Sequence, residues 1–342
     1  MENNKLVDIT NKNYKLGKRI VAPLVGFPGV SMINSSIKIA QQNYGEHYKV
    51  IKKNVDEFSP DIIFPLMDLS VEANALGRYT LFPKEDSATV HKEKFTIEEL
   101  NKFREINISF DSRVNCYVDT MKLMNIGLPA GILKGAYVTG PYSLAGLLMG
   151  ADEAAMATIL DEKMLKRLCN YTTEVISKYI RMLISAGAEL ICILEPTAVM
   201  LGPDQFEKYS ALYVKHINES FKYSGISTIY HTCGNTMHLI DKMVLSGVDG
   251  ISLDSKKAGV SLKEVAEKVK GQVAVMGNIN PSATILHGTP EQVKEEVNEL
   301  LKEMEHYPNF ILSTGCDLPQ ETPYENLKAF MDTGKNYRIT RK

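Results

Sequence analysis

The sequence has few cysteines, little net charge and no long apolar run. Its five cysteines among 342 residues are odd in number and widely spread, which argues against a disulfide framework and predicts reduced thiols. A formal charge of −2 offers polyanions no general attraction, so we expect no nucleic-acid partner. Neither a signal-type apolar core near the N-terminus nor a membrane-length apolar window is present, so we expect a cytoplasmic protein without a membrane partner.

A regular alternation of apolar segments and amphipathic stretches runs along the chain. Each apolar segment is short, rich in β-branched residues and continuous rather than alternating, as in strands buried on both faces. Eight such segments are present: RIVAPLVG (19–26), DIIFPLMD (61–68), LKGAYVTG (133–140), AELICILE (188–195), STIYHTC (227–233), DGISLD (249–254), QVAVMGNI (272–279) and NFILSTGC (309–316).

The stretches between these segments have the periodicity of helices. Residues 153–187 place apolar side chains at i, i+3 and i+4 and end on Gly187, which suits a helix C-terminus. A second stretch, 289–307, opens with Thr289 as an N-cap and Pro290 at the first helical position. Residues 323–335 follow the same pattern at the end of the chain.

Eight strands that alternate with helices predict a single (β/α)8 TIM-type barrel spanning residues 1–342. The segment 69–130 is longer and more polar than one connection requires, so we assign it to an excursion over the barrel mouth. A doubly wound open sheet is the alternative. Eight regular units without a phosphate-binding glycine fingerprint fit the barrel better.

Active sites of such barrels lie at the carboxyl ends of the strands. Applied to the eight segments, that rule selects Asp68, Gly140 with Pro141, Glu195, His231 with Cys233, Asp254, Asn278 with Asn280, and Cys316.

His231, Cys233 and Cys316 have the residue types of a zinc site. In an extended segment, His231 and Cys233 point the same way, because side chains alternate between faces. Cys316 ends the eighth strand, and the mouth of a closed barrel is narrow enough for one ion to bridge it. Three nitrogen and sulfur ligands with a fourth position open are typical of catalytic zinc. The remaining cysteines, at 116, 169 and 192, are expected to be buried as small hydrophobic residues.

The remaining selected residues have two interpretations each. Glu195 is predicted to be a fourth ligand or to orient one, although it could bond a neighbouring loop. Asp68, one helical turn from Glu72, is predicted to line the mouth, although it could cap a helix. We take Glu195 and Asp68 as the catalytic candidates. Asp254, Asn278 and Gly140 are candidates for contacting a large cofactor, and each could instead close a tight turn.

Several longer motifs, in order, resemble the uroporphyrinogen decarboxylase superfamily and its zinc- and corrinoid-dependent methyltransferase branch. The resemblance spans nearly the whole chain. It lies in VTGPYSLAGLLMG (138–150), AGAELICILEPTA (186–198), HTCGNT (231–236), GISLDSK (250–256), VAVMGNINPSATILHGTP (273–290) and STGCDLPQETPYENLKAF (313–330).

The resemblance implies a function for the three candidate ligands. In the methyltransferase branch, a His-x-Cys motif and a distant Cys bind zinc, and these positions correspond to His231, Cys233 and Cys316. The decarboxylase branch has an arginine-rich element after its first strand, whereas this chain has VGFPGVSM at 25–32 with no arginine. A substrate with many carboxylates would lack its counter-charges, so porphyrin decarboxylation is not expected.

The resemblance implies a methyltransferase that uses zinc and a corrinoid (cobalamin) carried by a partner protein, because one barrel accounts for the length. The expected acceptor is a small thiol such as coenzyme M, deprotonated by the metal. The opposite direction, from a phenyl methyl ether or methanol-like donor to cob(I)alamin, uses the same ligands and stays open.

The barrel has two further interpretations, a non-catalytic tetrapyrrole or corrinoid carrier and a zinc hydrolase. The complete set of three ligands disfavours the carrier, which would need no metal. The two thiolates disfavour the hydrolase, because they donate charge to the metal and weaken its power to acidify water.

Overall fold

The computed structural model describes residues 5–340 and contains a barrel of eight parallel strands. In chain order the strands of the described residues are β1 Ile20–Val21, β2 Ile62–Ile63, β3 Thr80–Leu81, β4 Thr89–Val90, β5 Leu133–Thr139, β6 Leu190–Leu194, β7 Ser227–Thr232, β8 Gly250–Leu253, β9 Ala274–Ile279 and β10 Phe310–Thr314. The antiparallel pair β3 and β4 lies outside the barrel, and the other eight strands coincide with the eight predicted segments. The prediction of a (β/α)8 barrel is confirmed.

The barrel closes between its two shortest strands. Parallel pairing runs from β1 through β10, β9, β8, β7, β6 and β5 to β2. Across the remaining gap, the Asp61 backbone N–H donates to the Val21 carbonyl at 2.9 Å. In return the Asp61 carboxylate accepts from the Val21 N–H at 2.7 Å. One acidic side chain therefore replaces a strand hydrogen bond where two-residue strands are too short to form a ladder.

Helices surround the barrel. Those of the described residues are α1 Lys5–Lys15, α2 Pro28–Met32, α3 Ile37–Ala40, α4 Tyr44–Phe58, α5 Val71–Ala75, α6 Ile97–Glu105, α7 Ser112–Gly127, α8 Pro141–Met149, α9 Ala151–Leu160, α10 Glu162–Ser185, α11 Pro203–Phe206, α12 Leu212–Phe221, α13 Ile240–Leu245, α14 Leu262–Val269, α15 Thr284–His287, α16 Pro290–Glu303 and α17 Tyr324–Asn336. Short 3-10 turns lie at Ile108–Phe110, Pro196–Met200 and Lys256–Ala258, and a π turn lies at Glu207–Ala211.

Within residues 5–340 no single helix has the length and hydropathy to cross a membrane. The bent pair α8 and α9 would pass that test as a combined span, with an angle of 106° between its parts.

The core has two parts. A large cluster fills the space between the barrel and its helices, and a smaller one fills the barrel interior. Leu6 and Val7 of α1 belong to the interior cluster together with Ile20, Ile62 and Leu190 near the starts of their strands. Helix α1 therefore closes the amino-terminal end of the barrel, and the opposite end is left for the site.

Local sequence signals account for several helix ends. Thr289 caps α16 and forms a capping box with Gln292, as its position before Pro290 predicts. The predicted helix 153–187 is two helices, because the Asp161 side chain accepts from the Met164 N–H and starts α10 afresh. Gly187 follows the end of α10 with φ +104°, a conformation that glycine adopts without strain.

The long segment after β2 contains α5, the β3–β4 hairpin, α6 and α7. Helix α7 packs against α4 and β5, the usual place of a barrel helix. Buried Arg78, which follows α5, bonds the Leu148 carbonyl of α8 and pairs with Glu93 at 2.9 Å. The segment is thereby anchored to the helix that follows β5.

Candidate metal centre

The site is built from the carboxyl ends of β7 and β10. His231 lies in β7, and Cys233 follows its last residue. Cys316 follows the end of β10, two residues after Thr314. His231 is buried, whereas both cysteines are partly exposed. The two cysteine residues therefore border solvent, while the imidazole is held in the wall of the barrel.

The three ligand atoms have the spacing of a tetrahedral metal site. His231 Nε2 lies 3.3 Å from Cys233 Sγ and 3.9 Å from Cys316 Sγ, and the two sulfurs are 3.5 Å apart. A zinc ion bound at about 2.0–2.1 Å from nitrogen and about 2.3 Å from sulfur separates its ligand atoms by about 3.5–3.8 Å. Within the described residues, these three form the one group of histidine, cysteine or acidic side chains with such geometry. The residues present fit zinc.

A hydroxyl group fixes which imidazole nitrogen faces the sulfurs. His231 Nδ1 lies 3.0 Å from Ser252 Oγ. Ser252 is paired with His231 in the register of β7 and β8, so the contact follows from strand pairing. A hydrogen bond from Nδ1 to this hydroxyl leaves Nε2 as the metal-binding nitrogen. Ser252, two residues before Asp254, is not among the residues predicted from the sequence.

Asp254 supports the turn that carries Cys233. One oxygen of its carboxylate accepts from the Gly234 N–H at 2.8 Å and the other from the Ser255 N–H at 2.6 Å. Gly234 has φ +85°, which only glycine adopts readily. The turn therefore places the Cys233 sulfur beside His231 and brings a carboxylate close to it.

The two thiols are electrostatically coupled. Their hydrogen bond lowers the pKa of Cys233 and, together with burial, raises the pKa of Cys316. A proton shared by the two thiols must leave when a metal binds both sulfurs.

Glu195 lies at the start of α8 rather than in the three-residue cluster. Its fully buried carboxylate accepts from the backbone N–H groups of Tyr142 and Ser143, at 3.1 and 2.8 Å, and from the Ser210 hydroxyl at 2.8 Å. A carboxylate stabilises a helix N-terminus, where free N–H groups and the helix dipole converge. A Cβ at Gly140 would lie 2.2 Å from Glu195 Cγ, so Gly140 leaves room for this contact.

Asp68 connects the end of the second barrel strand to α7. Both of its oxygens are engaged: one accepts from the Ser70 N–H and hydroxyl, and the other binds the Arg113 guanidinium and accepts from the Tyr117 hydroxyl at 2.8 Å. Asp68, Arg113 and Tyr117 are all buried. The structure thus ties Asp68 to the surrounding helices.

Glu72 and Asn278 also bond within the protein. Glu72 accepts from the Thr139 N–H at 2.8 Å, and burial raises the pKa of Glu72 to about 7. The Asn278 amide donates to the carbonyls of Asp254 and Val260, at 2.9 and 3.2 Å. Asn278 therefore holds the loop that follows β8, beside the turn of Cys233.

Two surface clefts of about 700 Å³ lie away from these residues. One is lined by α10 and α12 residues that include Arg181 and His216. The other lies near the amino-terminal strand ends and is lined by Thr228, Asp249 and other residues. Barrel enzymes bind their substrates at the carboxyl ends of the strands, so the cluster at the mouth is the stronger candidate site.

Comparison with known proteins identifies relatives of this chain. The sequence model of the family described as uroporphyrinogen decarboxylase (URO-D) matches residues 33–337. A methylcobamide:CoM methyltransferase, MtbA, of Methanosarcina acetivorans is 27% identical over 276 residues, 79% of this chain and 78% of the relative. A uroporphyrinogen decarboxylase of Prochlorococcus marinus is 24% identical over 309 residues, 88% of this chain and 86% of the relative.

Solved structures share the fold. A methyltransferase from Methanosarcina mazei superposes with a TM-score of 0.84 at 20% identity, covering 96% of this chain and 97% of the other. A B12-independent methionine synthase from Shewanella sp. W3-18-1, in complex with selenomethionine, gives a TM-score of 0.59 at 12% identity, covering 92% and 97%.

Proposed function

The chain belongs to the uroporphyrinogen decarboxylase family, and on that premise we propose that it is a zinc-containing methyltransferase that moves a methyl group between a corrinoid and a small nucleophile. The observation that carries this proposal is the set of one nitrogen and two sulfur atoms spaced for a tetrahedral ion at the barrel mouth. Three ligands leave a fourth position for a reactant, as in catalytic rather than structural sites.

The segment after β1 argues against decarboxylation of a polycarboxylate substrate. Here the resemblance places the arginine-rich element of the decarboxylases, but residues 25–32 contain no basic side chain. The second half of this segment forms α2, in which Gly29 packs so closely on Asn54 that a Cβ would lie 2.6 Å from its side-chain nitrogen. Carboxylates are bound by arginine or lysine in most sites, and this position supplies neither.

Zinc, when bound, would act as a Lewis acid that favours the deprotonated form of a thiol or alcohol at its open position. His231, Cys233 and Cys316 would hold it, and the two cysteine sulfurs would balance its charge. Ser252 orients the His231 ring, and Asp254 positions the Cys233 sulfur through the turn that follows it. Both cysteine residues are partly exposed, which supports access of reactants to the cluster from the mouth.

The remaining predicted residues serve as positioning residues in this proposal. Glu195 and Gly140 hold the start of α8 against the end of β6, and Asp68 holds the loop after β2. Asn278 holds the loop after β8 through two backbone carbonyls. These contacts fix the rim around the metal ligands and need no direct contact with a substrate.

The relative MtbA is named for methylcobamide and CoM, which supports a methylated corrinoid as donor and coenzyme M as acceptor. We further propose that the corrinoid arrives on a partner protein and meets the small thiol at the mouth. Transfer from a methyl ether donor to cob(I)alamin belongs to the same reaction class but runs in the opposite direction. Two parallel reactions distinguish the two directions of methyl transfer.

Methyl transfer can be followed by visible spectroscopy with zinc-loaded protein. One reaction contains methylcobalamin and coenzyme M, and the other contains cob(I)alamin and an aryl methyl ether. We expect the methylcobalamin spectrum to disappear in the first reaction. Formation of methylcobalamin in the second reaction alone would establish the opposite direction.

The control variants are Cys233→Ser, which removes a metal ligand, and Cys116→Ser, which changes a buried cysteine outside the site. Methyl transfer should be lost in the first variant and retained in the second. Absence of transfer in both reactions with fully zinc-loaded wild-type protein would overturn the proposed function.

A further inference from the structure

Tyr137 is an aromatic residue inside the barrel whose hydroxyl group has no partner among the described residues. It lies in β5 and belongs to the interior cluster with Cys192 and Leu194. Its ring stacks on Phe64, with 4.7 Å between ring centroids and an interplanar angle of 19°. Tyr137 is 7% exposed, and its hydroxyl makes no hydrogen bond to any of residues 5–340. The ring is held firmly, but the polar end is free to bind something else.

Strand register places Tyr137 in the same interior layer as His231. Tyr137 pairs with Cys192 of β6, and Cys192 pairs with Ile229 of β7, two residues before His231. Barrel strands are tilted, so a level layer rises by about one residue from each strand to the next and takes its members from alternate strands. Tyr137 of β5 therefore lies level with His231 of β7.

Other buried tyrosines of this protein have hydroxyl groups that form hydrogen bonds within the chain. The hydroxyl of Tyr117 donates to Asp68, and that of Tyr171 donates to the Phe103 carbonyl at 2.6 Å. The Tyr137 hydroxyl makes no such bond within residues 5–340, so it is available to a ligand or to water.

Tyr142 resembles Tyr137 in having a hydroxyl without a partner in the described part of the chain. It lies in α8, and the ionisable side chains that affect it are Cys169, Glu195 and Tyr209, none of which is a candidate metal ligand. The two tyrosines thus offer the same chemical group in two places, one in the barrel layer of His231 and one outside the metal site.

We propose that Tyr137 is a substrate-binding residue of the metal site, whose hydroxyl donates a hydrogen bond to the sulfur or oxygen atom that enters the open coordination position. This inference rests on the proposed function for the nature of that atom. A donor beside the site would fix the direction of the lone pairs on the entering atom and leave one lone pair aimed at the methyl group. Hydrogen bonds to charged acceptors are stronger than those between neutral groups.

Tyr137 keeps its proton under physiological conditions. Burial, and then the nearby Asp317, Cys192 and Cys316, raise the pKa of Tyr137 well above its ordinary value. Its hydroxyl group is therefore a donor rather than a competing anion beside the thiolates.

The test uses protein in which cobalt(II) replaces zinc, because cobalt reports its ligands by visible absorption. 2-Mercaptoethanol is titrated into the wild type, Tyr137→Phe and Tyr142→Phe, and thiol binding is followed by the sulfur-to-cobalt charge-transfer band. We expect Tyr137→Phe to bind the thiol about 10-fold or more weakly. Its thiol-free cobalt spectrum should equal that of the wild type, and Tyr142→Phe should bind the thiol normally.

Equal thiol affinity of Tyr137→Phe and the wild type would overturn the proposal, as would the same loss in Tyr142→Phe. If wild-type protein shows no thiol band at all, thiol methylation fails instead, and phenol, the product of ether cleavage, becomes the probe. Weaker phenol binding by Tyr137→Phe would then support the role of the hydroxyl, and equal binding would refute it. The cobalt spectrum thus separates failure of this inference from failure of the proposed function.

Discussion

At the scale of single residues, the metal centre depends on side chains that do not bind the metal. Ser252 contacts the nitrogen of His231 that faces away from the sulfurs, and Asp254 holds the backbone beside Cys233. The ligands His231, Cys233 and Cys316 could be recognised from residue type and strand position. The contact of Ser252 could not, because it depends on the register between two strands that the sequence does not specify.

Ser252→Ala should lower zinc affinity about 10- to 100-fold, because the imidazole loses the contact that fixes its orientation. Competition with a chromogenic chelator measures this change. Ser313→Ala is the matched control, since the buried Ser313 hydroxyl donates to the Ala22 carbonyl at 2.7 Å. The control should retain zinc affinity, and an equal loss in both variants would count against a specific role for Ser252.

Glu72 makes the stability of the protein depend on pH. Burial raises its pKa from the ordinary 4.5 to about 7. The neutral form is favoured in the folded state, so its contribution is fully present below pH 4.5 and is lost as the pH rises through 7. The free energy of unfolding should therefore fall by about 3–4 kcal/mol across this interval because of this residue.

Glu72→Gln should remove that loss, because glutamine keeps an acceptor for the Thr139 N–H and carries no charge. Urea unfolding at about pH 5 and about pH 8, on either side of the raised pKa, should show the variant gaining stability relative to the wild type at the higher pH. The exposed Glu219 provides the control Glu219→Gln, for which we expect no such gain. Parallel behaviour of wild type and Glu72→Gln would contradict the assignment.

At the scale of helices and strands, the sequence predicts most elements and misses the short ones. All eight barrel strands were predictable because buried parallel strands are continuously apolar. The two-residue strands β3 and β4 carry no such pattern and lie in the polar segment after β2. The break between α9 and α10 also escaped prediction, since the apolar periodicity continues on both sides of Asp161.

The ion pair between Asp68 and Arg113 joins the loop after β2 to α7. Variants that remove this pair distinguish a catalytic role of Asp68 from a supporting one. Asp68→Ala should lower the free energy of unfolding by about 3–5 kcal/mol, because buried Arg113 is left without its counter-charge. Zinc affinity should not change. Asp119→Ala removes an exposed pair with Lys122 on the same helix and should cost about 0–1 kcal/mol.

Urea unfolding and zinc titration of these variants distinguish the two roles. A fully stable Asp68→Ala protein that has lost methyl transfer would contradict the supporting role, and would instead place Asp68 among the catalytic residues, as its position after the second barrel strand suggests.

At the scale of the whole molecule, the fold determines where chemistry can occur. Helix α1 fills the amino-terminal end of the barrel with Leu6 and Val7, so the carboxyl end remains for reactants. Residues 85 positions apart in the chain, His231 and Cys316, meet there at 3.9 Å. Their proximity follows from closure of the eight-stranded barrel, which the sequence predicts as a fold class but not as a distance.

Zinc X-ray absorption spectroscopy of the purified, zinc-loaded protein examines the proposed metal centre itself. We expect about one zinc per chain with two sulfur neighbours at about 2.3 Å and a nitrogen neighbour at about 2.0–2.1 Å. Addition of coenzyme M should raise the number of sulfur neighbours from two to three. A zinc ion surrounded by nitrogen and oxygen alone, or a chain that binds no stoichiometric zinc, would rule out the proposed centre.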